Sequence, residues 1–285
     1  MDIKMKFVEN EAAKLNTMKT APYLTFPVLS DLNYIRHGFS TRLGGVSEGF
    51  YQSMNLSYSV GDEKERVDQN YRIICDSLGI KFEDLVATHQ VHKTNVRLIT
   101  PADKGKGLYI PRDYEEIDGF ITNTPGIPLA TFYADCVPLF FVDTKRHAIG
   151  LSHSGWRGTV GKMGKVTLDA MKEHFNTEPS DVIAVIGPSI CKDCYEVDQT
   201  VYEEFKKAFT PEDLGEIITK SNTASDKYQL NLWEANRRIL LREGMQDKNI
   251  HISGVCTSCN EELLFSHRAS KGKRGTLAAF LMLES

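Results

Sequence analysis

The sequence lacks the features of an exported or membrane-bound protein. Its longest apolar runs, such as residues 137–142, are far too short to cross a bilayer. Residues 1–7 contain no apolar stretch of the kind that forms a signal peptide. We therefore expect a cytoplasmic protein that contacts no membrane. In that reducing compartment its 6 cysteines should be free thiols or metal ligands rather than disulfides.

The chain also lacks a basic excess and any internal division. It has 34 Lys and Arg residues against 38 Asp and Glu, a formal net charge of −4, so we expect no nucleic-acid partner. No linker, charge block or repeat interrupts it, and 41% of its residues are hydrophobic, enough for a substantial core. We predict one domain over residues 1–285, with roughly the first 20–34 residues peripheral.

Histidine is too scarce for one class of enzyme. The chain has 8 histidines, and none stands in a His-x-His pair. A multicopper oxidase needs a blue-copper site and a trinuclear cluster, hence about ten histidines, mostly in such pairs. Multicopper chemistry is excluded by this count. A single copper ion could still occupy a site with nitrogen and sulfur ligands, so a copper-dependent phenol oxidase stays an alternative.

What is present predicts an α+β fold with mixed β-sheets and flanking helices. Apolar runs and helical periodicity alternate irregularly, which argues against a regular doubly wound sheet. The predicted strands are 96–99, 128–133, 137–142, 148–151, 182–186, 250–255 and 277–281, the last two as a pair. The predicted helices are 66–78, 198–209 and 232–243, and a further helical stretch carries Leu168, Met171 and Phe175 on one face.

Two histidines and one cysteine stand beside apolar, strand-forming segments. Cys136 lies in a polar break between two apolar strands, while His89 and His153 each adjoin an apolar strand among small or polar residues. One thiolate and two imidazoles suit zinc, and three protein ligands leave a fourth position open for water or substrate. We therefore predict a catalytic metal site at His89, Cys136 and His153.

Other uses of the cysteines remain open. The pairs Cys191/Cys194 and Cys256/Cys259 each have C-x-x-C spacing and could together form a four-cysteine structural site, although the segment between the pairs is long for a compact zinc ribbon. A redox role for either pair is less favoured. Cys136 could instead be a nucleophile with His153 as its base, in a hydrolase or deamidase. A non-enzymatic binding module is a third possibility.

Two glycine-containing segments could bind an anion. Arg42 precedes Gly44-Gly45, and Arg157 lies in Gly155-Trp-Arg-Gly158 before a predicted helix. Backbone N–H groups in such segments can hold a phosphate while the guanidinium supplies charge. Each signal is weak alone, because paired glycines more often mark a turn.

Taken together, the motifs resemble one protein family. They are His-Gly-Phe-Ser-Thr-Arg (37–42), Gly-Gly-Val-Ser (44–47), His-Gln-Val-His (89–92), Ala-Asp-Cys-Val-Pro (134–138), His-Ser-Gly-Trp-Arg-Gly (153–158), Ile-Gly-Pro-Ser-Ile (186–190), Cys-Tyr-Glu-Val (194–197) and Cys-Thr-x-Cys (256–259). Their order is similar to that of the bacterial YfiH/YlmD group, which is related to the mammalian protein FAMIN and was long called polyphenol oxidase or laccase-like. The resemblance covers about residues 35 to 282.

The resemblance implies a zinc-dependent purine nucleoside phosphorylase that also deaminates adenosine. Its expected partners are phosphate and adenosine, inosine or 5′-methylthioadenosine. Its expected metal is zinc, with copper as the alternative, in a monomer or homodimer. The implied fold is an α+β arrangement distantly similar to toxin deamidases that use a Cys–His pair.

The resemblance also implies roles for particular residues. The metal triad is again His89, Cys136 and His153. The expected phosphate and substrate contacts are Arg42, Gln90, Ser154 and Arg157. For catalysis we predict Cys136, Asp135 and Asp118; the two aspartates are the nearest acidic candidates in the sequence for protonating a leaving amine. One departure is visible: the family usually has Phe-Ser-Tyr-Arg-Arg near the C-terminus, whereas here His267 and Ala269 stand at the third and fifth positions.

Overall fold

The computed structural model of the protein describes residues 4–9 and 11–284, which form 15 β-strands and 7 α-helices joined by short 3-10 turns. The strands are β1 (Lys14–Asn16), β2 (Tyr23–Thr25), β3 (Ile35–Ser40), β4 (Val86–Ala87), β5 (Val96–Leu98), β6 (Gly119–Thr122), β7 (Leu129–Tyr133), β8 (Val137–Asp143), β9 (Ala148–Ser154), β10 (Val182–Ile186), β11 (Glu196–Asp198), β12 (Ile218–Lys220), β13 (Lys227–Leu230), β14 (Ile250–Ile252) and β15 (Leu277–Leu283). The helices are α1 (Pro27–Ser30), α2 (Lys64–Leu78), α3 (Trp156–Val160), α4 (Met163–Phe175), α5 (Gln199–Ala208), α6 (Pro211–Ile217) and α7 (Leu232–Arg242).

The strands form two six-stranded sheets and one small sheet. The first has the order β1-β2-β3-β15-β7-β4, and the second has the order β14-β10-β8-β9-β6-β5. Both sheets are mixed. In the first, β4 runs parallel to β7. In the second, β14 runs parallel to β10 and β5 runs parallel to β6. The third sheet, β11-β13-β12, is antiparallel. The predicted α+β architecture with mixed sheets and flanking helices is confirmed.

Both strands of the hairpin β8–β9 are buried along their whole length and separate two cores. Successive side chains of a strand point to opposite faces, so β8 serves both cores at once. Leu139 and Phe141 pack against α4 and α7, whereas Phe140 and Val142 pack against the first sheet. A third core lies between the opposite face of the first sheet and α2. The layers are therefore helix, sheet, sheet and helices.

Helix α2 follows the predicted pattern. Val67, Tyr71, Ile74 and Leu78 recur at helical spacing and are buried, and the helix ends where Gly79 adopts a left-handed conformation. It begins two residues earlier than the periodicity predicted. The reason is that residues 64 and 65 are charged and add no apolar signal to the pattern.

The predicted pairing of the last two strands is wrong. β14 belongs to the second sheet, where it pairs with β10, while β15 lies between β3 and β7 in the first sheet. β14 also stops at Ile252 rather than at residue 255, because Gly254 has φ 70° and the chain turns away there.

The N-terminal segment adds strands to the edge of the first sheet. β1 pairs with β2, and β2 pairs with β3. Ahead of β1, Lys6 and Asn260 exchange two hydrogen bonds, and Phe7 bridges to Val255. In the described part of the chain, no helix has the length and apolar content needed to cross a membrane.

Candidate active site

A cavity of about 790 Å³ opens where the ends of several strands meet. Its walls come from the β7–β8 connection, the end of β9, the loop at residues 87–92, and the segment that precedes β15. Pockets of this size are typical of small-molecule sites. Polar and aromatic side chains from segments distant in sequence converge on it.

Three potential metal ligands lie in this wall. One ligand atom each from His92, Cys136 and His153 falls within 4.8 Å of the other two. Cys136 occupies the bend between β7 and β8, and His153 lies on β9 opposite Pro138. The antiparallel pairing of β8 and β9 therefore brings the thiol and the imidazole to the same end of the hairpin.

Asp118 organises this group from behind. Its carboxylate accepts hydrogen bonds from the backbone N–H groups of Val91, His92 and Lys93 at 3.0–3.1 Å. It also contacts Nδ1 of His153 at 2.8 Å. This contact fixes the ring of His153 so that the other nitrogen, Nε2, faces Cys136. A carboxylate that orients a histidine in this way is a recurrent support of metal sites.

Charge is coupled across the group. Burial opposes ionisation of the Cys136 thiol, but the His153 and His92 rings outweigh it and lower its pKa to about 6. Burial likewise opposes protonation of His153, but Cys136 and Asp118 raise its pKa to about 9. Burial would also raise the pKa of Asp118, yet hydrogen bonds from His153 and the Val91 amide lower it. The site thus favours a thiolate, the form of cysteine that binds metals and attacks electrophiles.

Gly155 leaves room for the three ligands. A methyl group at this position would lie 2.9 Å from Sγ of Cys136 and 3.1 Å from Nδ1 of His92. Gly155 is also the residue before α3, so the chain turns from β9 into the helix directly against the cluster. Only glycine allows that close approach without displacing a ligand.

The structure places His92 in the cluster, whereas the sequence predicted His89. His89 lies on the same cavity wall, but its Nδ1 contacts the carboxylate of Glu115. The loop curves so that residue 92 reaches the cluster: its backbone has φ 61°, and its amide is held by Asp118. That curvature depends on a carboxylate that lies 26 positions away in sequence.

The two predicted acidic residues differ in their access to the cavity. Asp118 is fully buried, does not line the cavity and has its carboxylate occupied by hydrogen bonds. Its position is that of an orienting group rather than an acid in contact with substrate. Asp135 lines the cavity, and its carboxylate accepts bonds from the Thr257 hydroxyl and the Arg268 N–H, both at 2.7 Å.

The predicted substrate residues are not brought together. The Arg42 guanidinium donates to the carbonyls of Gln52 and Glu261 and lies over Phe265, away from the cavity wall. Arg157 is exposed and lies over Trp156, and it does not line the cavity either. The hydroxyl of Ser154 is buried with Thr159 and Asn236.

Gln90 lines the cavity, but its side-chain amide pairs with the backbone of Phe132. It therefore fastens the loop at residues 88–92 to β7. Its accessible atoms form part of the wall.

The cavity holds arginines that the sequence did not single out. Arg268 and Arg274 line it, together with Arg112. Nη1 of Arg274 donates to the Gly275 carbonyl and the Thr276 hydroxyl, while its Nε is buried without a hydrogen-bond partner in the described chain. No local motif marks Arg274. The one feature of the sequence that points to this part of the wall is the departure from the family pattern at residues 265–269, just before Arg274.

Comparisons with known proteins connect the chain to a family. Residues 36–284 match the model described as multi-copper polyphenol oxidoreductase laccase. The purine nucleoside phosphorylase YlmD of Bacillus subtilis (strain 168) is 37% identical over 248 residues, which cover 86% of this chain and 87% of the relative. Adenosine deaminase RL5, from an unknown prokaryotic organism, is 36% identical over 234 residues, covering 81% and 87%.

Solved structures agree with these relatives. The crystal structure of YlmD from Geobacillus stearothermophilus superimposes with a TM-score of 0.86 and 32% sequence identity, over 97% of this chain and all of the other. The Bacillus licheniformis hypothetical protein YfiH gives a TM-score of 0.87 with 31% identity, over 95% and 99%. The resemblance indicated by the motifs is confirmed.

Proposed function

Because the chain belongs to the multi-copper polyphenol oxidoreductase laccase family, in which its relatives are named as purine nucleoside phosphorylases and an adenosine deaminase, we propose that it is a zinc-dependent purine nucleoside phosphorylase. The observation that carries the proposal is a single cavity that combines a His/Cys ligand group with the guanidinium groups of Arg268 and Arg274.

The donor set fits zinc. Two imidazoles and a thiolate are ligands that zinc prefers, and the Asp118–His153 contact provides the orienting partner that such a site needs. We propose His92, Cys136 and His153 as the ligands, with His89 as the alternative first favoured by the sequence. A zinc ion held there would supply Lewis acidity toward the substrate. Copper is the competing metal, because nitrogen and sulfur sites generally bind Cu(II) more tightly than zinc.

The arginines support a phosphate site. Arg274 lines the cavity with an Nε donor that has no partner within the described residues, and burial lowers the pKa of its guanidinium. A bound phosphate would supply charge to balance the guanidinium and acceptors for those of its N–H groups that reach the cavity. Arg268 lies over Tyr195 on the same wall and adds a second positive charge. We assign phosphate to this pair in place of Arg42 and Arg157.

The aromatic side chains of the cavity suit a purine. Trp156, Phe132 and Tyr195 line it and are not fully buried. Flat aromatic faces stack on nucleobases with little dependence on the substituents of the base. This tolerance is consistent with adenosine, inosine and 5′-methylthioadenosine as substrates.

Phosphorolysis joins a phosphate oxygen to C1′ of the ribose and breaks the bond from C1′ to the purine, which leaves with the proton that hydrogen phosphate gives up. The chain contributes by holding the phosphate on Arg268 and Arg274 and by stacking the base. Positive charge near the phosphate also balances the anion as it approaches the sugar.

The same cavity is proposed for adenosine deamination, in which water replaces the amine at C6 and the amine leaves as ammonia. Asp135 is the acidic side chain of the cavity closest to Cys136 in sequence, and it is the proposed proton donor to the leaving amine.

The test is base release from adenosine and inosine, with and without phosphate, together with the metal content of the purified protein. We expect phosphate-dependent release of the base. Cys136→Ala should lose both this release and the zinc ion bound at the Cys136 site. Cys75→Ala is the matched control, because Cys75 is buried on α2 and does not line the cavity. Arg274→Gln should raise the KM for phosphate by about 10- to 100-fold, as expected for loss of a charged hydrogen-bond donor.

Two alanine variants decide between the histidines. His92→Ala should lose the zinc ion bound at the Cys136 site, and His89→Ala should retain it. The opposite result would return the assignment to His89.

A second function is favoured by one specific contact. The arrangement of Cys136, His153 and Asp118 is also that of a cysteine nucleophile, a base and an orienting carboxylate. A metal-free protein that releases the base without phosphate, and that is inactivated by alkylation of Cys136, would support this hydrolase and overturn the phosphorylase. Oxidation of phenols by a copper-loaded protein would instead support the phenol oxidase.

A further inference from the structure

The fold brings together two C-x-x-C pairs that are distant in sequence. Cys191 and Cys194 follow β10, and Cys256 and Cys259 follow β14. Because β10 and β14 are parallel neighbours, the two segments leave the sheet at the same edge, and a further bridge joins Ser189 to Cys256. The four sulfur atoms all lie within 4.8 Å of one another.

The spacing of the sulfurs is that of a tetrahedral metal site. Sγ of Cys194 and Sγ of Cys259 are 3.5 Å apart, although the residues are 65 positions apart. Four sulfurs that each lie about 2.3 Å from a zinc ion are separated by about 3.8 Å. The observed separations therefore need shifts of an ångström or less to match that arrangement. A disulfide would instead require a sulfur–sulfur distance of about 2.05 Å.

The backbone around Cys256 also suits a thiolate. The N–H groups of Cys191 and Cys259 donate to Sγ of Cys256, at 3.2 and 3.4 Å. Hydrogen bonds from N–H groups stabilise negative charge on a sulfur ligand. One of these donors comes from each pair, so the sulfur of Cys256 ties the two turns together.

The cluster lies directly behind the wall of the active-site cavity. Tyr195, next to Cys194, lines the cavity, and Thr257, next to Cys256, donates its hydroxyl to Asp135. The N–H of Ile190 donates to the Asp135 carbonyl at 3.0 Å. These contacts come from both cysteine-bearing segments, and they hold Asp135 at φ 88°, a conformation that is strained for a residue other than glycine.

We propose that Cys191, Cys194, Cys256 and Cys259 bind a structural zinc ion, separate from the His92–Cys136–His153 group. Four protein thiolates leave no coordination position for substrate, so the site has a structural role. It fixes the two segments that support Asp135 and thereby positions the neighbouring Cys136. The proposal does not depend on which reaction the cavity catalyses.

Zinc stoichiometry tests the proposal. The full chain, loaded with excess zinc and desalted, should contain two zinc ions per molecule. The double variant Cys194→Ser/Cys259→Ser should contain one, Cys136→Ser should also contain one, and the control Cys75→Ser should contain two. A double variant that keeps as much zinc as the wild type overturns the proposal.

A second measurement does not depend on folding of the double variant. In Cys136→Ser the clustered cysteines are the thiols available for a shared metal, so Co(II) added to this variant should produce the intense sulfur-to-cobalt absorption of a tetrahedral thiolate site. A mercurial reagent that blocks thiols should then abolish that absorption. The lack of such a band, or oxidation of Cys194 and Cys259 to a disulfide in the freshly purified protein, would refute the proposal.

Discussion

At the scale of single residues, the site depends on one buried carboxylate. Asp118 accepts three backbone N–H groups of residues 91–93 and also orients His153. The same side chain therefore sets the position of both proposed histidine ligands. A carboxylate that does not line the cavity can in this way control the geometry of the proposed ligand group.

We predict that Asp118→Asn weakens zinc binding by about 10- to 100-fold, because the His153 ring loses its anionic partner and one loop amide meets an NH₂ group instead of an acceptor. Competition with a chromophoric chelator measures the change. Asp143→Asn is a suitable control: Asp143 is buried at the other end of β8, where it accepts N–H groups from Lys145 and Arg146. A similar loss of zinc affinity in both variants would contradict the role given to Asp118.

His37 predicts a pH dependence of stability. Burial lowers its pKa to about 4, and its Nε2 accepts the Phe26 N–H at 2.8 Å, which requires the neutral ring. In the unfolded chain the pKa is about 6.5, so the unfolded state takes up the proton first as the pH falls. The contribution of neutral His37 to the free energy of unfolding is complete above pH 6.5 and is lost as the pH falls toward 4. Between pH 7 and pH 5 we expect this group to lower the free energy of unfolding by about 2 kcal/mol.

Denaturant unfolding of wild type and His37→Gln at several pH values tests this prediction. Glutamine retains an acceptor but cannot be protonated, so the variant should show a smaller decline between pH 7 and pH 5. Equal declines in the two proteins would mean that other groups cause the acid sensitivity.

At the scale of elements, the hairpin β8–β9 and the turn into α3 determine the site. Cys136 immediately precedes β8, His153 lies near the end of β9, and Gly155 precedes α3. The pairing of Val137 with Ser154 aligns these ends. The turn into α3 needs a small residue at position 155, because α3 and the His92–Cys136–His153 group approach each other closely.

We predict that Gly155→Ala lowers kcat/KM for the nucleoside by about 10- to 100-fold, since the added methyl group displaces Cys136 or His92 from its position. Its zinc content should fall as well. In the control Gly158→Ala, the closest atom to the new methyl group is 3.4 Å away, an ordinary contact, so metal and activity should be kept. Unchanged activity in Gly155→Ala would show that the cluster tolerates a different geometry.

The positions of helices and strands were largely predictable from the sequence, whereas the pairing of the strands was not. The apolar run at β10 gave the strand with the bounds that it has in the structure, and the periodicity of α2 gave the helix to within two residues. These patterns are local, because burial repeats every two or 3.6 residues. The pairing of β14 with β10, and of β15 with β3 and β7, depends on contacts far apart in the chain, and it was predicted wrongly.

At the scale of the whole molecule, the N-terminal segment supports the cysteine cluster. Lys6 exchanges hydrogen bonds with Asn260, and the N–H of Val8 donates to the Gly254 carbonyl. Phe7 packs against the core between the two large sheets. This segment therefore anchors the loop that carries Cys256 and Cys259.

We predict that deletion of residues 2–12 lowers Tm by about 5 °C, because two or three hydrogen bonds and the packing of Phe7 are lost, roughly 2 kcal/mol in total. Zinc release to a chelator should also become faster. Differential scanning calorimetry and a release assay measure both effects. An unchanged Tm and release rate would mean that the contacts of residues 4–9 do not contribute to stability.

The sequence by itself determined the mixed α+β class, the family resemblance and the placement of Cys136 and His153 at strand ends beside a site. Each of these follows from local pattern or from motif order. Only the tertiary structure decided that His92 rather than His89 meets Cys136, that Arg274 lines the cavity with an Nε that has no partner among the described residues, and that two distant C-x-x-C pairs meet. The physical reason is that these relations join side chains on different strands and loops. Their distances are set by sheet pairing and by buried groups such as Asp118, which no local pattern specifies.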